Sequence, residues 1–548
     1  MTAPDVTVTV IVHNDAERLP RAVASLRRQT HANIEIVISD DHSTDDTPTV
    51  ARALAARDHR VTYLRLPENS GGCGAPRNRA LDIARAPYLM FLDSDDELPD
   101  NAVELLLAAH REQPQLDFAM GAVQRIRVDT GHTAPWMPHL VAERRTVDGI
   151  EAEPLLFFEH LSTSKMYARD FLDRHELRFP EGIHYEDQLF SAQAYCLAKS
   201  FTIIPEPVYR WYVAPYLTGD AASISHQRHK LSNVRDRIHV QTLIDTFLLE
   251  SGRAGIREEK DYKFLKHDFR MYAGDLPYRD REWLTGFAEL VNPYLDSLAP
   301  SAFERLPRTE RVVIQLVRDL RLTDATAAAR ALGGGVAPRT TTVSEGRLYW
   351  GEEVPTTDWA RRELDLSDQD LDTCPFPSAQ FHHEITEISP GPGASLNLTV
   401  RTRDPGLRLP IGPQRASLVM APGHHRLLVP FRLDPVRPGV FEGRARLDLS
   451  AARLPVHGFN SARHPLLRLE QQGLRNTGIL LAPLTFPTLT AQVGTHRVRV
   501  EPESRGAGRL QIHWEPLGMT AKVIRPVIQR MAGPRARRAA RLVRSALR

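Results

Sequence analysis

Apolar and polar positions along the first hundred residues repeat a strand–helix rhythm. Val6 to Val12, Ile34 to Ile38, Val61 to Leu66 and Tyr88 to Leu92 are apolar, largely β-branched runs of strand length. Between them, Asp15 can cap a helix whose Leu19, Ala22, Val23 and Leu26 share one face, and Thr47 to Arg57 and Ala75 to Arg85 carry helical spacing. This order predicts βαβ units and a mostly parallel sheet covered on both faces. From Arg228 to Arg330 apolar stripes such as Leu243, Ile244, Phe247, Leu248 and Val312, Val313, Leu316, Val317 predict helices. Gly333 to Ser344, with three glycines and then three threonines, predicts a linker. Beyond it, Ser395 to Thr402, Gly443 to Ser450 and Thr495 to Val500 alternate apolar with polar, as half-buried antiparallel strands of one or two β-sandwich modules do. The expected organisation is an α/β domain at 1–227, a helical region at 228–332, all-β modules at 345–516 and a tail at 517–548.

Composition changes this picture only at the end of the chain. The 548 residues are 42% hydrophobic and 25% charged with a net charge of +2, which suits a soluble multidomain protein. No run approaches the roughly 18 apolar residues of a membrane span, and a strand pattern stands where a signal peptide would be, so a cytoplasmic location is expected. Cys73, Cys196 and Cys374 are too widely spaced for a zinc motif or a disulfide framework. The tail differs: Ala521 to Arg548 holds nine basic residues and no acidic one, interleaved with Val523, Ile524, Val527, Ile528, Met531, Leu542, Val543 and Leu547. Helices there would lie on an anionic membrane surface or an acidic polymer. Nucleic acid and a disordered solubilising tail compete, the former weakened because no aromatic residue accompanies the basic run.

The strongest chemical signal is Tyr88-Leu-Met-Phe-Leu-Asp93-Ser-Asp95-Asp-Glu97, a buried strand that ends in carboxylates. A buried carboxylate is stable only when paired, neutralised or metal-bound. Ligands of open α/β sheets collect at the carboxyl ends of strands, where Asp93 and Asp95 would form a station for Mg²⁺ or Mn²⁺ and phosphate. The same residues also suit an acidic turn ahead of a helix at Pro99 to His110.

Val8-Thr-Val-Ile-Val-His-Asn14, Ser39-Asp-Asp-His-Ser-Thr-Asp-Asp46, Glu68-Asn-Ser-Gly-Gly72, Arg77-Asn78 and Asp93-Ser-Asp95 follow one another after successive strands. That ordered series resembles the nucleotide-sugar half of the family 2 glycosyltransferases, inverting enzymes of the GT-A fold, over residues 5 to 230. The resemblance implies that Val12, His13 and Asn14 lie beside the donor nucleoside and that Asp41 accepts from the uracil imide N–H. A turn and helix cap would use Asp40, Asp41 and Ser43 equally well. It further implies Asn69 and Arg77 near the base or diphosphate, a ribose contact for Asp93 and a divalent metal contact for Asp95. The family usually has Pro-Val-Tyr-Asn at the first strand end, where this chain has Ile11-Val12-His13-Asn14.

Further along, Glu186-Asp187 precedes the apolar helical pattern of Leu189, Phe190, Ala192 and Ala194 and matches the family's Glu-Asp pair. The resemblance makes Asp187 the catalytic base and Glu186 its neighbour in orienting the acceptor; a capping acidic pair is the plainer alternative. Lys165 in Ser164-Lys-Met-Tyr167 would support these carboxylates or stand as a solvated lysine. Arg210, Ser223 and His226 resemble the segment that closes over the diphosphate, with His226 completing the metal shell.

The arrangement as a whole is similar to the enzymes that decorate wall teichoic acid with N-acetylglucosamine, whose C-terminal parts serve trimerisation and polymer binding. It implies a metal-dependent transfer of a sugar, N-acetylglucosamine in those relatives, from a UDP-sugar to a hydroxyl of a polyol-phosphate or other envelope glycopolymer. It also implies a homo-oligomer; the composition of the tail adds an expected peripheral location at the inner face of the plasma membrane and no nucleic-acid partner. Two other classes remain open: a nucleotidyltransferase on a similar scaffold, although Val10 to Arg18 lacks a Gly-rich loop, and a non-catalytic envelope-polymer-binding protein.

Overall fold

Seven consecutive buried residues in each of β1 (Val6–Val12) and β2 (Ile34–Asp40) mark the centre of a sheet covered on both faces. The computed structural model describes residues 3–213, 227–333, 339–420, 427–450, 464–483, 486–493, 496–502 and 509–516. Ser223, His226 and the basic tail lie outside the described residues. The chain divides into two units, Met1–Tyr272 with Arg279–Pro307, and Ala273–Tyr278 with Arg308–Arg548.

In the first unit the elements run β1, α1 (Leu19–Arg27), β2, α2 (Thr47–Arg57), β3 (Val61–Arg65), α3 (Gly74–Ile83), β4 (Tyr88–Asp93) and α4 (Ala102–Glu112). There follow β5 (Phe118–Arg127), β6 (Thr133–Trp136), β7 (Arg145–Val147), β8 (Lys165–Ala168), α5 (Arg169–Arg174), α6 (Glu186–Leu197), β9 (Phe201–Val213), α7 (Leu231–Glu250) and α8 (Arg257–Lys263). The sheet order is β3-β2-β1-β4-β8-β5-β9-β7, with β6 beside β5. Strands β3, β2, β1 and β4 are parallel, and β8 is antiparallel to both β4 and β5. The strand order reverses between β1 and β4, the switch point at which loops of an open α/β sheet splay apart and leave a crevice.

Alternation along β4 feeds two cores. Met90 and Leu92 pack with Leu19, Val23, Leu26 and Leu106 on one face. Leu89 and Phe91 pack on the other with Phe118, Tyr167, Phe179 and Phe190. Phe91 meets Phe179 and Phe190 edge-on at 5.1 and 5.8 Å. The polar residues of β1 are satisfied internally, Thr7 donating to Glu35 at 2.7 Å and Thr9 to the Met90 carbonyl at 3.3 Å.

In the second unit, helices Arg308–Arg318 and Leu322–Ala329 precede a hairpin of Thr341–Ser344 and Arg347–Trp350. The threonines expected in a linker are thus a strand, as β-branched residues favour. Further on, His382–Gly391, Ser395–Arg403, Val440–Asp448, Leu427–Arg437, Gln414–Met420, Leu466–Gln471 and Leu474–Leu481 close, in that spatial order, into a barrel. A three-stranded sheet of Leu489–Val493, His496–Pro502 and Leu510–Pro516 follows. The α/β domain, the helices and the all-β C-terminal region agree with the expected fold class, the β-region including a closed barrel.

Two local expectations change. The helix expected from Pro99 starts at Ala102. Asp15 does not cap α1 at its N-cap, which is Arg18; it accepts from the Arg18 backbone N–H at 3.3 Å and from Ser94 Oγ at 2.6 Å, tying the loops after β1 and β4 together.

Phe91 is fully buried between aromatic rings. Phe91→Ala should therefore destabilise the first unit by about 3–5 kcal/mol in urea unfolding; a loss below about 1 kcal/mol would mean that the aromatic cluster does not hold the sheet.

Candidate active site

The nucleoside end is built from backbone turns. Val12 ends β1 opposite Asp40, and its carbonyl accepts from the Asp41 N–H at 2.9 Å. His13 and Asn14 then leave the sheet exposed. Asn14 sits at φ 48°, which a short polar side chain tolerates by bonding locally: its Oδ1 accepts from the Thr44 N–H at 2.8 Å and its N–H donates to Ser43 Oγ at 2.9 Å. Asp41 Oδ1 accepts from the Ser70 N–H at 2.9 Å, and Oδ2 from Asn69 Nδ2 at 3.0 Å. Asn69 Nδ2 also lies 3.2 Å from His13 Nδ1, so His13, Asp41 and Asn69 form one cluster. Asp40 points elsewhere, accepting from the Ser43 N–H at 2.8 Å and from Tyr63 at 2.7 Å. The turn chemistry therefore belongs mainly to Asp40, while each Asp41 oxygen keeps acceptor capacity after its loop contact.

The second cluster gathers the carboxylates. Arg77, in the first turns of α3 and only 4% exposed, pairs with Asp93 Oδ1 at 2.9 Å through one nitrogen and with Glu186 Oε1 through the other. Its guanidinium also lies 5.1 Å from the centre of the Phe179 ring. This one side chain joins the end of β4 to the start of α6.

Around Asp93 negative charge accumulates. Asp95 meets Arg18 Nη1 at 3.3 Å, yet burial and then the Asp93 charge push its carboxyl up to about 6. Asp96 is more deeply buried and pushed well above the usual carboxylate range, chiefly by burial and then by Asp95 and Asp93. Its oxygens accept from Tyr209 OH and the Tyr212 N–H, each at 2.7 Å. Adjacent carboxylates with raised proton affinity are short of positive charge, and the oxygen-only donors Asp93 and Asp95 fit a hard divalent cation. Among the described residues no group of three or more His, Cys, Asp or Glu side chains forms a ready metal cage. Phosphate oxygens would have to complete the shell.

Asp187 lies beside Glu186 in the first turn of α6. Burial, and then the Glu186 charge, push its carboxyl up to about 7, opposed by Arg77, Arg237 and Lys263. A carboxyl poised there can exchange a proton near neutrality.

The sequence-predicted residues thus fall into two neighbouring groups on the carboxyl ends of β1, β2 and β4: Val12, His13, Asn14, Asp41 and Asn69, and then Arg77, Asp93, Asp95, Glu186 and Asp187. Arg210 joins through the main chain, exchanging hydrogen bonds with Glu97 at 3.2 and 2.9 Å. Lys165 is not solvated: fully buried, it pairs with Glu159 and donates to the Leu161 carbonyl at 2.5 Å, and its charge also interacts with that of Asp187. Arg18 and Arg21 carry no sequence-based expectation, and Asp15, expected only as a helix cap, and Asp96, expected only as part of the acidic run, also join the site. Arg18 and Arg21 are one helical turn apart at the start of α1, and that spacing was the available signal; Arg21 donates to the Asp95 carbonyl and pairs with Glu97 at 3.3 Å.

The site thus combines, at the carboxyl ends of parallel strands, a polar cluster of His13, Asp41 and Asn69 with a group of carboxylates joined by Arg77. Residues 7–175 match the Glycosyl transferase family 2 model, and the chain carries a domain of that family. EpsH of Bacillus subtilis (strain 168) is 31% identical over 220 residues, 39% of this chain and 62% of that protein, so the chain spans less than two thirds of this relative. The Poly(ribitol-phosphate) beta-N-acetylglucosaminyltransferase TarP of Staphylococcus aureus (strain N315) is 24% identical over 295 residues, 52% of this chain and 88% of that one. The fold is also that of S. aureus TarS 1–349, crystallised with UDP-GlcNAc, at TM-score 0.50 and 20% identity over 63% of this chain and 96% of that one. No helix of the described residues is long and apolar enough to cross a membrane.

The raised proton affinity of Asp187 has a consequence for stability. The folded chain binds this proton more tightly than the unfolded chain, so the ionised group is a cost above pH 7 that fades as pH falls below it. Asp187→Asn should raise unfolding free energy by about 1–3 kcal/mol at pH 8 and by much less at pH 5. An equal change at both pH values would contradict the assignment.

Proposed function

We propose that this protein is a metal-dependent inverting glycosyltransferase that moves a sugar from a UDP-sugar to a hydroxyl of a polyol-phosphate polymer of the cell envelope, such as a teichoic acid. The observation that supports the reading is the Arg77 bridge, in which one buried guanidinium pairs with both Asp93 and Glu186. The 24% identity to TarP supports N-acetylglucosamine as the sugar and poly(ribitol phosphate) as the kind of acceptor.

In this reading the cluster of His13, Asn14, Asp41 and Asn69 takes the uracil and its ribose. Asp41, an acceptor when ionised, suits the imide N–H of uracil and rejects a base edge that presents a lone pair. Asp93 and Asp95 would hold Mn²⁺ or Mg²⁺, which when bound offsets the charge on the departing diphosphate. Asp187 removes the acceptor hydroxyl proton while that oxygen attacks the anomeric carbon from the face opposite UDP. The new bond joins the anomeric carbon to the acceptor oxygen, and the bond to the phosphate oxygen breaks with its electron pair leaving on UDP. Glu186, fixed by Arg77, keeps Asp187 oriented and raises its proton affinity. The basic tail supports peripheral attachment at the inner face of the plasma membrane, where such polymers are assembled, and the C-terminal β-region supports a homo-oligomeric, polymer-holding role.

UDP release from a panel of nucleotide sugars, with Mn²⁺ and poly(ribitol phosphate), tests the reading; absence of UDP release under every metal condition would overturn it. Because Asp187 must be ionised to act, kcat/KM should rise with pH to a plateau, with a midpoint near about 7. Asp187→Asn should lower transfer by about 10²–10⁴-fold and leave UDP affinity near that of the parent. Asp95→Asn should weaken metal-dependent UDP binding, and equal loss of UDP binding in both variants would contradict the separate roles.

A further inference from the structure

Tyr185 is held in a backbone conformation that its side chain disfavours, immediately before the carboxylate pair. Its φ of 68° and ψ of 25° are left-handed, a region where Cβ crowds the following carbonyl and a bulky aromatic residue is an outlier. Such a conformation persists only where the surroundings over-determine it. Here the surroundings are one face of α7. Tyr185 OH donates to Asn233 Oδ1 at 2.8 Å, and the Arg237 guanidinium lies over the ring, 3.5 Å from its centre. His184 Nδ1, one residue earlier, lies 2.9 Å from Asp236 Oδ2. Asn233, Asp236 and Arg237 are spaced i, i+3, i+4 and so project together from the helix. Two of them are anchored from behind: Tyr272 OH donates to the same Asn233 oxygen at 2.7 Å, and Arg237 Nη1 pairs with Asp268 at 2.6 Å.

Helix capping does not account for this arrangement. The Tyr185 side chain makes no cap hydrogen bond to α6, and Gly or Asn would take a left-handed turn with less strain. What the clamp fixes is the direction in which α6 leaves the loop, and Asp187 stands in its first turn.

We propose that Tyr185 is a positioning residue: clamped left-handed by Asn233 and Arg237 of α7, it aims Asp187 at the acceptor hydroxyl. This rests on the reading of Asp187 as the base. A rotation of the first turn of α6 would alter the distances from Asp187 to Glu186, Arg77, Arg237 and Lys263, and to the more remote Lys165, Tyr167 and Cys73, all of which share its electrostatic surroundings. The titration of Asp187 is therefore a direct reporter of its placement.

The test uses the full chain with Tyr185→Gly and Tyr185→Phe. Glycine adopts the left-handed turn without strain, so the fold is kept while the clamp is lost. In Tyr185→Gly, kcat for transfer should fall about 10- to 100-fold. UDP affinity should stay within about twofold of the parent. The Asp187 carboxyl titration, followed by ¹³C NMR and assigned with Asp187→Asn, should move by at least about half a pH unit. Tyr185→Phe keeps the ring under Arg237 but loses the bond to Asn233, and its kcat should fall between those of the parent and Tyr185→Gly. Parental kcat and a parental titration midpoint in Tyr185→Gly would overturn the proposal, as would loss of UDP affinity in step with kcat. If the parent chain transferred no sugar, the base reading would fall; the titration would still decide the clamp, an unmoved midpoint overturning it and a moved midpoint supporting it.

Discussion

A guanidinium buried between two carboxylates holds the site together. Arg77 has given up its water, a loss that breaks even only because Asp93 and Glu186 both pair with it and Phe179 covers its face. Each partner arrives by a separate route through the chain, Asp93 at the end of a central parallel strand and Glu186 at the start of a helix more than ninety residues later. The bridge converts two local acidic signals into one chemical site, and it does so where the strand order reverses and the sheet leaves a crevice.

The charge balance of that crevice is left incomplete on one side. Arg77 satisfies Asp93 and Glu186, while Asp95, Asp96 and Asp187 carry raised proton affinities because burial and like charges outweigh the cations within reach. Such a constellation lowers stability near neutral pH. Sites that handle phosphate and protons commonly accept that cost, because the missing positive charge is what a bound metal or a transferred proton supplies.

Much of this was legible in the residues. β1, α2 and the start of β4 fall where apolar periodicity puts them, because buried parallel strands and one-sided helices write their burial directly into the chain. The same holds for Asp41, Asp93 and Glu186-Asp187, which stand at strand and helix ends where short motifs are local. What could not be read is long-range pairing. The bridge that Arg77 makes between carboxylates of distant segments, and the buried pairing of Lys165 with Glu159, arise only in the folded chain. The contacts of Arg18 and Arg21 with Asp95 depend on how α1 lies against the loop after β4, and the barrel depends on the parallel closure of its first and last strands, His382–Gly391 and Leu474–Leu481. Neither is encoded by periodicity.

The central claim, that the donor station and the base form one site through Arg77, is tested most directly by a double-mutant cycle. Arg77→Gln, Glu186→Gln and the double variant are compared by kcat/KM for sugar transfer. Strong coupling is expected, with the second substitution adding little to the first and an interaction energy of about 2–3 kcal/mol. Additivity to within about 0.5 kcal/mol would contradict it, since the two residues would then act independently.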